Sequence, residues 1–392
     1  MKTLLILGAG IYQVPLIRRA RGMGLRTVVA SVDGDWPGFA LADVVCKVDT
    51  TDREGILSVA EREQIDGIVT AGTDVAVRSI GYVCDTLGLH GISAEAAEKL
   101  TDKAKMKTAF RGIVKSGDFR IVYSAEEAAE AASAIGYPVM VKAVDVSGSR
   151  GITRVDDAAG LAAAVSEAYA VTRREYIVVE EVVRGTEIGL DAFVKNGRIA
   201  AFYPHTKYVW KSGGRTIPAG HGFPFYGDEE LTGTLRAELE HIIAATGMDN
   251  CAVNCDIMVD GGEVSVIEAG GRSGATCIPE LIEMYSGVDY YRQMILCALG
   301  EPTDFTQQKA DPCIARLLMS RKAGTVREID RSLVRDLGAE TGATIQLDVK
   351  EGDPVRSAAN GTDRIGHVIM RSTSYRQVEE ICGKVLEAVH LV

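Results

Sequence analysis

The sequence predicts an α/β fold, in part α+β, built as three successive units. Three observations predict it. Over the first ninety residues short apolar runs alternate with helical stretches, the pattern of a parallel sheet covered by helices. A second block mixes strands and helices with Asn-Gly and Gly-Gly turns, which mark antiparallel hairpins. Beyond Gln307–Asp311 the texture becomes short strands, turns and one closing helix, a small α+β unit. The expected boundaries are 1–93, 94–306 with a central subdomain at about 137–185, and 307–392.

Composition narrows the function. The chain has 392 residues, 46% hydrophobic and 25% charged, ordinary for a globular protein with a sizeable core. A net charge of −11 speaks against nucleic acid as a partner, though not against a nucleotide held by a few local cations. No apolar run approaches the roughly 20 residues of a membrane span. The run in MKTLLILGAG is too short for a signal peptide and reads as a first strand. Eight scattered cysteines, with no second pair to match Cys251 and Cys255 at zinc-like spacing, suggest reduced thiols and a cytoplasmic setting.

Taken in order, Thr3–Leu7 is a buried strand ending in Gly8-Ala9-Gly10, a tight turn into a helix over Val14–Met23. Gln13 stands where a dinucleotide fingerprint needs its third glycine; Asp33 and Asp35 keep an NAD(P)-dependent oxidoreductase as a rival reading. Thr27–Ser31, Val44–Val48 and Gly67–Ala71 are further strands, with helices over Ile56–Arg62 and Val75–Leu87. Small ligands bind at the carboxyl ends of such strands, which points to Gly8–Ile11 and Gly72–Asp74, with Gly10 and Thr73 as the candidates. Ala94–Val114 reads as one helix, with Lys103 and Lys107 four apart on one face.

Glu126–Ile135 is a helix. Tyr137–Ala143 is a strand closed by Lys142, an odd place for a free ammonium. Asp145–Gly151 is a Gly/Ser loop rich in donors, and Ile152–Val155 resumes an antiparallel strand. Glycines in such a loop let backbone N–H groups approach phosphate oxygens, although no Walker Lys-Ser/Thr follows. Asp156–Ala170 is a helix, Tyr176–Val183 a strand ending in Glu180-Glu181-Val182-Val183, and Glu187–Lys195 pairs with Arg198–Tyr203 across Asn196-Gly197. His205–Pro224 is Gly-rich and reads as a long functional loop carrying His205, Lys207 and His221. Asp228–Thr246 and Tyr290–Leu299 are helices; Cys313–Ser320, Ala343–Leu347 and Ile365–Arg371 are strands; Tyr375–Val389 is the last helix.

The stretch Val253–Thr276, VNCDIMVDGGEVSVIEAGGRSGAT, carries one acid on each arm of a hairpin, Asp256 and Glu268, followed by Arg272. A two-residue loop would put the acids on opposite faces. A three-residue loop, Gly261–Glu263, would set Asp260 against Val264 and Asp256 against Glu268. Opposed carboxylates repel unless a cation lies between them, and Mg2+ is the hard cation that shares itself between carboxylates and phosphates. A plain hairpin with two solvated acids is the other reading.

The order of these pieces resembles the ATP-grasp superfamily across essentially the whole chain. The group resembled is that of the phosphoribosylglycinamide-synthetase-like and carbamoyl-phosphate-synthase-large-chain-like proteins. The resemblance implies a pre-ATP-grasp Rossmann-like domain, an ATP-grasp domain of two α+β subdomains, and the small C-terminal α+β domain. It implies phosphate contacts from Lys103 or Lys107 and from Lys142, with Ser147, Gly148, Ser149 and Gly151 over the phosphates. Glu180 and the backbone of Glu181 and Val183 would meet adenine, and Glu187 the ribose. Asp256 and Glu268 match the ligands of Mg2+, for which Mn2+ is a possible substitute, and Arg272 matches the arginine at the transferred phosphoryl group. One departure is plain: Gly270 stands where the family often has an asparagine ligand.

The implied activity is an ATP-dependent carboxylate–amine (or carboxylate–thiol) ligase working through an acyl phosphate, with an amino-acid or dipeptide-type ligase as the narrower reading. A glycinamide ribonucleotide synthetase-like enzyme and a non-catalytic nucleotide-binding protein are the other readings. The expected partners are ATP, a small carboxylic acid and a small amine, with a homodimer possible. His205, Lys207, His221, Arg316, Gly10 and Thr73 are the substrate candidates.

Overall fold

The computed structural model describes residues 1–146, 148, 150–212 and 215–392. Its contacts group the chain into two compact units: Met1–Tyr203 with Gly227–Ser273 and Tyr291–Thr303, and Pro204–Tyr226 with Gly274–Tyr290 and Asp304–Val392. The α/β class expected from the sequence is what the chain adopts.

The first unit opens with β1 (Thr3–Leu7), α1 (Val14–Gly22), β2 (Arg26–Ser31), β3 (Val44–Lys47), α2 (Arg53–Glu63), β4 (Gly67–Val69) and α3 (Val77–Leu87). The four strands form a parallel sheet in the order β3-β2-β1-β4. All five residues of β1 are buried, as its unbroken apolar run requires of a strand covered on both faces. Gly8 turns the chain at φ +94°, and the Gln13 side chain folds back beneath it. Gln13 Oε1 accepts from Gly10 N at 3.0 Å, while its Nε2 donates to Ala71 O at 2.5 Å. The residue that breaks the dinucleotide pattern thus closes the turn on itself.

The predicted helix Ala94–Val114 is two helices, α4 (Ala94–Thr101) and α5 (Lys103–Phe110). Asp102 breaks them. Its backbone is extended (φ −128°, ψ 109°), and its buried carboxylate caps α5 by accepting from Ala104 N and Lys105 N at 3.1 and 3.2 Å. Next come β5 (Phe119–Val122), α6 (Ala125–Ile135), β6 (Val139–Lys142), β7 (Ile152–Val155), α7 (Ala158–Val171) and β8 (Ile177–Glu181). They make a four-stranded antiparallel sheet, β5-β8-β6-β7, backed by the two Ala-rich helices. Small side chains such as Ala128, Ala132, Ala164 and Ala168 let the helices lie close on Val139, Val141 and Val179. Lys142 ends β6 and Glu180 lies on β8 opposite Met140, so two buried charged residues enter one small sheet.

Then follow β9 (Thr186–Lys195), β10 (Arg198–Ser212), β11 (Arg215–Phe223), α8 (Glu229–Thr246), β12 (Cys251–Asp260) and β13 (Glu263–Gly270). In the first unit β12 pairs antiparallel with both β9 and β13. The hairpin turn corrects the expected three-residue loop. Asp260 pairs with Glu263, so the loop is Gly261–Gly262, at φ +57° and +90° as a type I′ turn demands. The ladder then skips: Ile257 pairs with Val266, and Asp256 with Glu268. Ile267 is the extra residue of a β-bulge. The bulge, not the turn, brings the two acids directly opposite each other.

The second unit corrects another expectation. His205–Pro224 is not a loop: β10 runs on to Ser212 and pairs with β11, which pairs in turn with β14 (Cys313–Met319). Glycine is required at Gly220, where a Cβ would lie 2.4 Å from Ala315 O. The unit also contains α9 (Ile278–Ser286); α10 (Tyr290–Ala298) returns to the first unit. The remainder is β15 (Gly324–Ile329), α11 (Arg331–Thr341), β16 (Thr344–Leu347), β17 (Pro354–Val355), β18 (Arg364–Met370), α12 (Tyr375–Glu387) and β19 (Val389–Leu391). Strands β14, β18 and β16 are adjacent, and α12 covers them over a core of Ile314, Leu318, Val368, Val378 and Val385. Among the described residues no helix is long and apolar enough to cross a membrane.

Candidate functional site

The first unit gathers its charges on α5, β6, β8 and the β12–β13 hairpin. Glu180 is almost fully buried between two ammonium groups. Lys142 Nζ contacts its Oε1, and Lys107 Nζ lies 3.2 Å from its Oε2. Burial alone would raise the Glu180 carboxyl, but Lys142 and Lys107 outweigh it and hold the group below the usual carboxylate range. Lys107 goes the other way. Burial and the nearby Lys142 charge outweigh Glu180 and lower the ammonium. Two cations share one anion, and among the described residues Lys107 Nζ and Glu180 Oε2 meet no partner in hydrogen-bonding geometry. The cluster carries an excess positive charge out of water, which favours an anion.

Lys103 sits one turn earlier on α5, at its first residue, where the Asp102 cap fixes it. Its Nζ donates to Glu268 Oε1 at 2.9 Å and to Val146 O at 3.3 Å. Burial works against this charge, yet Glu268, with Asp74 and Glu180 beyond it, raises the ammonium above its ordinary value. An ammonium therefore already pairs with one acid of the hairpin, and Val146 is the second residue of the Gly/Ser loop. Within that loop Gly148 and Gly151 adopt φ +73° and +61°, conformations that favour glycine. Ser147 and Ser149 lie outside the described residues.

Arg272 follows β13. Its Nε and Nη2 donate to Asp74 Oδ1 and Oδ2 at 2.8 and 3.0 Å, and Nη1 donates to Asn254 Oδ1 at 2.7 Å. Asn254 Nδ2 donates in turn to Asp191 Oδ2 at 2.9 Å. Burial opposes the Arg272 charge, but Asp74 overrides it and raises the guanidinium further. Asn254 and Asp191 were not singled out from the sequence, and Asp74 entered only as the end of the ligand-binding stretch Gly72–Asp74. A signal existed for two of them: Asn254 is two residues before Asp256, hence on its face of β12, and Asp191 interrupts a buried strand.

Other candidates are dispersed. Glu181 is exposed and its N–H is already donated to Asp118 O at 2.8 Å. Val183 follows the end of β8, and Glu187 lies on β9 opposite Met258. Gly10 spends its N–H on Gln13, and Thr73 lies beside Asp74 in the loop after β4. Among the described residues no three His, Cys, Asp or Glu side chains converge as a metal cage. Asp256 and Glu268 offer two carboxylates, enough for a hard cation that takes its other oxygens from phosphates or water.

In the second unit His205 and His221 are buried and meet each other, Nδ1 to Nδ1, at 3.2 Å. Burial first, then the neighbouring His205 and Lys207, push His221 well below its ordinary value. His205 lies tilted against Phe223, which in turn stacks on Tyr285. Arg316 is buried on β14, donating to Ala219 O at 2.9 Å and lying 3.7 Å from Glu379, with Trp210 and Tyr375 alongside.

A β-hairpin bearing paired acids, an antiparallel sheet and a helix bearing buried lysines, and a Gly/Ser loop are arranged as in the ATP-grasp fold, which this chain adopts. The family described as D-ala D-ala ligase C-terminus matches residues 107–210, and L-amino acid ligase C-terminal domain 2 matches 316–392. The whole chain is similar to the crystal structure of phosphoribosylglycinamide synthetase from Anaerococcus prevotii, at 28% identity and a TM-score of 0.79, covering 100% of this chain and 99% of that one. It superposes on L-amino acid ligase from Bacillus licheniformis with a TM-score of 0.83 at 16% identity, covering 100% and 98%. It is 25% identical over 289 residues to alanine–anticapsin ligase from Bacillus subtilis, spanning 66% of this chain and 60% of that protein's length. Among proteins of this fold the chain is a ligase, of the class that joins a carboxylate to an amine with cleavage of ATP.

Proposed function

We propose that the protein activates a small carboxylic acid with ATP and joins it to a small amine, as an amino-acid or dipeptide-type ligase. The observation that supports it best is the pairing of Lys103 with Glu268. An ammonium at the head of the Gly/Ser loop touches an acid that Asp256 opposes across the hairpin. The match of 316–392 to an amino-acid-ligase domain supports the substrate class. The N-terminal, ATP-grasp and C-terminal domains are taken as 1–93, 94–306 and 307–392.

Asp256 and Glu268 would hold Mg2+, or Mn2+ in its place, which when bound neutralises phosphate charge. Lys142 and Lys107 offer buried positive charge to the phosphates. Lys103, between Glu268 and Val146, is the better placed of the two α5 lysines for the α-phosphate role. Glu180 would exchange an ammonium for the adenine amino group, and Glu187 would accept from ribose hydroxyls. Gly148 and Gly151 would let the loop close over the phosphates and exclude water.

The reaction follows from the carboxylate being a poor electrophile. A carboxylate oxygen of the acid takes the γ-phosphoryl group, with ADP leaving, and gives an acyl phosphate. The amine nitrogen attacks the carbonyl carbon, the carbon–nitrogen bond forms, phosphate departs and the amine loses a proton. Arg272 bears on the phosphoryl oxygens by charge and orientation, and no side-chain nucleophile is needed. Buried and bonded to each other, His205 and His221 fit a wall of the acid or amine site better than a charged contact; Arg316, Lys207, Gly10 and Thr73 complete the substrate candidates. A homodimer is checked by light scattering.

The test is amine-dependent phosphate release with Mg-ATP over a matrix of acids and amines that includes glycine with phosphoribosylamine. Turnover lost in Glu268→Gln supports the reading; full turnover in that variant sinks the metal assignment. The Gly10 N–H taken by Gln13 counts against an NAD(P) oxidoreductase, and stabilisation by NAD(P) but not by Mg-ATP would reverse that judgement.

A further inference from the structure

We propose that Asp74 is the positioning residue of Arg272, and that position 270 is glycine because the Asp74 carboxylate occupies the space a side chain there would need. The inference rests on the ligase reading for Arg272's role, but its geometry stands alone.

Arg272 uses its three guanidinium nitrogens on two side-chain partners, and Nη1 also donates to Ser273 O at 3.3 Å. The Asp74 carboxylate takes Nε and Nη2 in a fork at 2.8 and 3.0 Å, and Asn254 takes Nη1 at 2.7 Å. A guanidinium held this way has one orientation, because its donors are coplanar and the carboxylate matches two of them at once. Asn254 is held from behind by Asp191. The clamp therefore joins the loop after β4 to strands β9 and β12.

Gly270 lies beneath this fork. A Cβ built there would meet Asp74 Oδ1 at 2.8 Å and the Arg272 Cζ and Nε at 3.7 Å. Its backbone is not in the positive-φ region, unlike that of Gly261 and Gly262. Nothing in the backbone demands glycine at 270; the space does. The obstructing atom ends a short side chain and can turn aside, so alanine at 270 would leave the fold intact. It would do so by moving Asp74 off the guanidinium. Asn254 is the cross-strand partner of Gly270, so an amide lies on this face of the hairpin from β12 in place of one from β13. The departure from the superfamily pattern at 270 is thus coupled to an acid nearly two hundred residues away in sequence.

The test is the cycle of wild type, Asp74→Ala, Gly270→Ala and the double variant, with two readouts. The first needs no ligand: the Arg272 Nε–H resonance, protected from exchange in the wild type, should lose that protection in both single variants. The second is turnover of the acid–amine pair found by phosphate release. Each single variant should lower kcat on the order of 100-fold, the cost of a misplaced catalytic group, with KM for Mg-ATP within about threefold of wild type. The double variant should be no slower than Asp74→Ala, since the clash that Gly270→Ala introduces is gone. Retained protection and wild-type turnover in Gly270→Ala would overturn the proposal. So would losses that multiply in the double variant, or a raised KM for the amine alone in Asp74→Ala, which would make Asp74 a substrate contact. A wild type that neither binds Mg-ATP nor releases phosphate defeats the ligase reading, while the Arg272 resonance still reports on the clamp.

Discussion

Replacing Glu180 by glutamine removes one charge without changing shape, and the surroundings set the size of the effect. The side chains of Glu180, Lys107 and Lys142 are 3%, 2% and 7% exposed. The variant leaves two ammonium groups buried with no counter-charge between them. Removing one partner of a buried ion pair costs about 3–5 kcal/mol. At roughly 2–4 °C per kcal/mol for a domain of this size, melting of the first unit should fall on the order of 10 °C. Differential scanning calorimetry at pH 7 measures it, and a shift under about 2 °C would refute the claim that buried charge is what Glu180 compensates. Saturating Mg-ATP should recover part of the loss, because phosphate then faces the two lysines. A triple apolar variant, Lys107→Met with Lys142→Met and Glu180→Leu, should melt near the wild type yet gain nothing from Mg-ATP. The sign with pH follows from the depressed Glu180 carboxyl: its contribution is present above the ordinary carboxylate range and lost as pH falls through the folded-state value. The gap between wild type and Glu180→Gln should therefore close in acid.

Two further outcomes follow from other parts of the chain. His367 is buried on β18, and burial, then the Arg364 charge, lowers its titration from 6.5 to about 4. The unfolded chain thus binds a proton first, so the second unit should lose about 3 kcal/mol as pH falls from the ordinary histidine value to the lowered one. His367→Gln should flatten that part of the pH profile, and an unchanged profile would contradict it. Asp102→Ala removes the cap of α5 and a carboxylate that accepts from Tyr176 Oη at 2.8 Å. It should cost about 1–3 kcal/mol and weaken Mg-ATP binding through Lys103, checked by calorimetric titration.

What was legible in the sequence divides by the range of the forces involved. Buried strands, helix caps and Asn-Gly or Gly-Gly turns are local, and β1, β6 and the β12–β13 hairpin could be read to within a residue or two. The paired acids were legible as a pair, but the reason differed. One extra residue was expected in the turn and lies instead in the strand as the Ile267 bulge, which preserves the opposition of Asp256 and Glu268 because either device adds one residue to the same arm. The break at Asp102 was hidden because alanine and lysine on both sides favour helix, and a buried carboxylate accepting from Tyr176 overrides them. His205–Pro224 looked like a loop because glycine weakens strands on average; at Gly220 glycine is what lets the backbone approach Ala315. The partners of Lys103 and Arg272 were illegible for a plainer reason. Glu268 and Asp74 are more than a hundred residues away from them along the chain, and no periodicity encodes such a contact.

The central claim is that this chain makes an acyl phosphate from ATP and a carboxylic acid. The direct measurement uses the acid found by phosphate release, labelled with 18O in its carboxylate, in the presence of the amine and Mg-ATP. Mass analysis of the released phosphate should find one labelled oxygen per phosphate, carried over when the amine displaces it. Phosphate released wholly without label would show that the carboxylate oxygen never received the phosphoryl group, and would contradict the account.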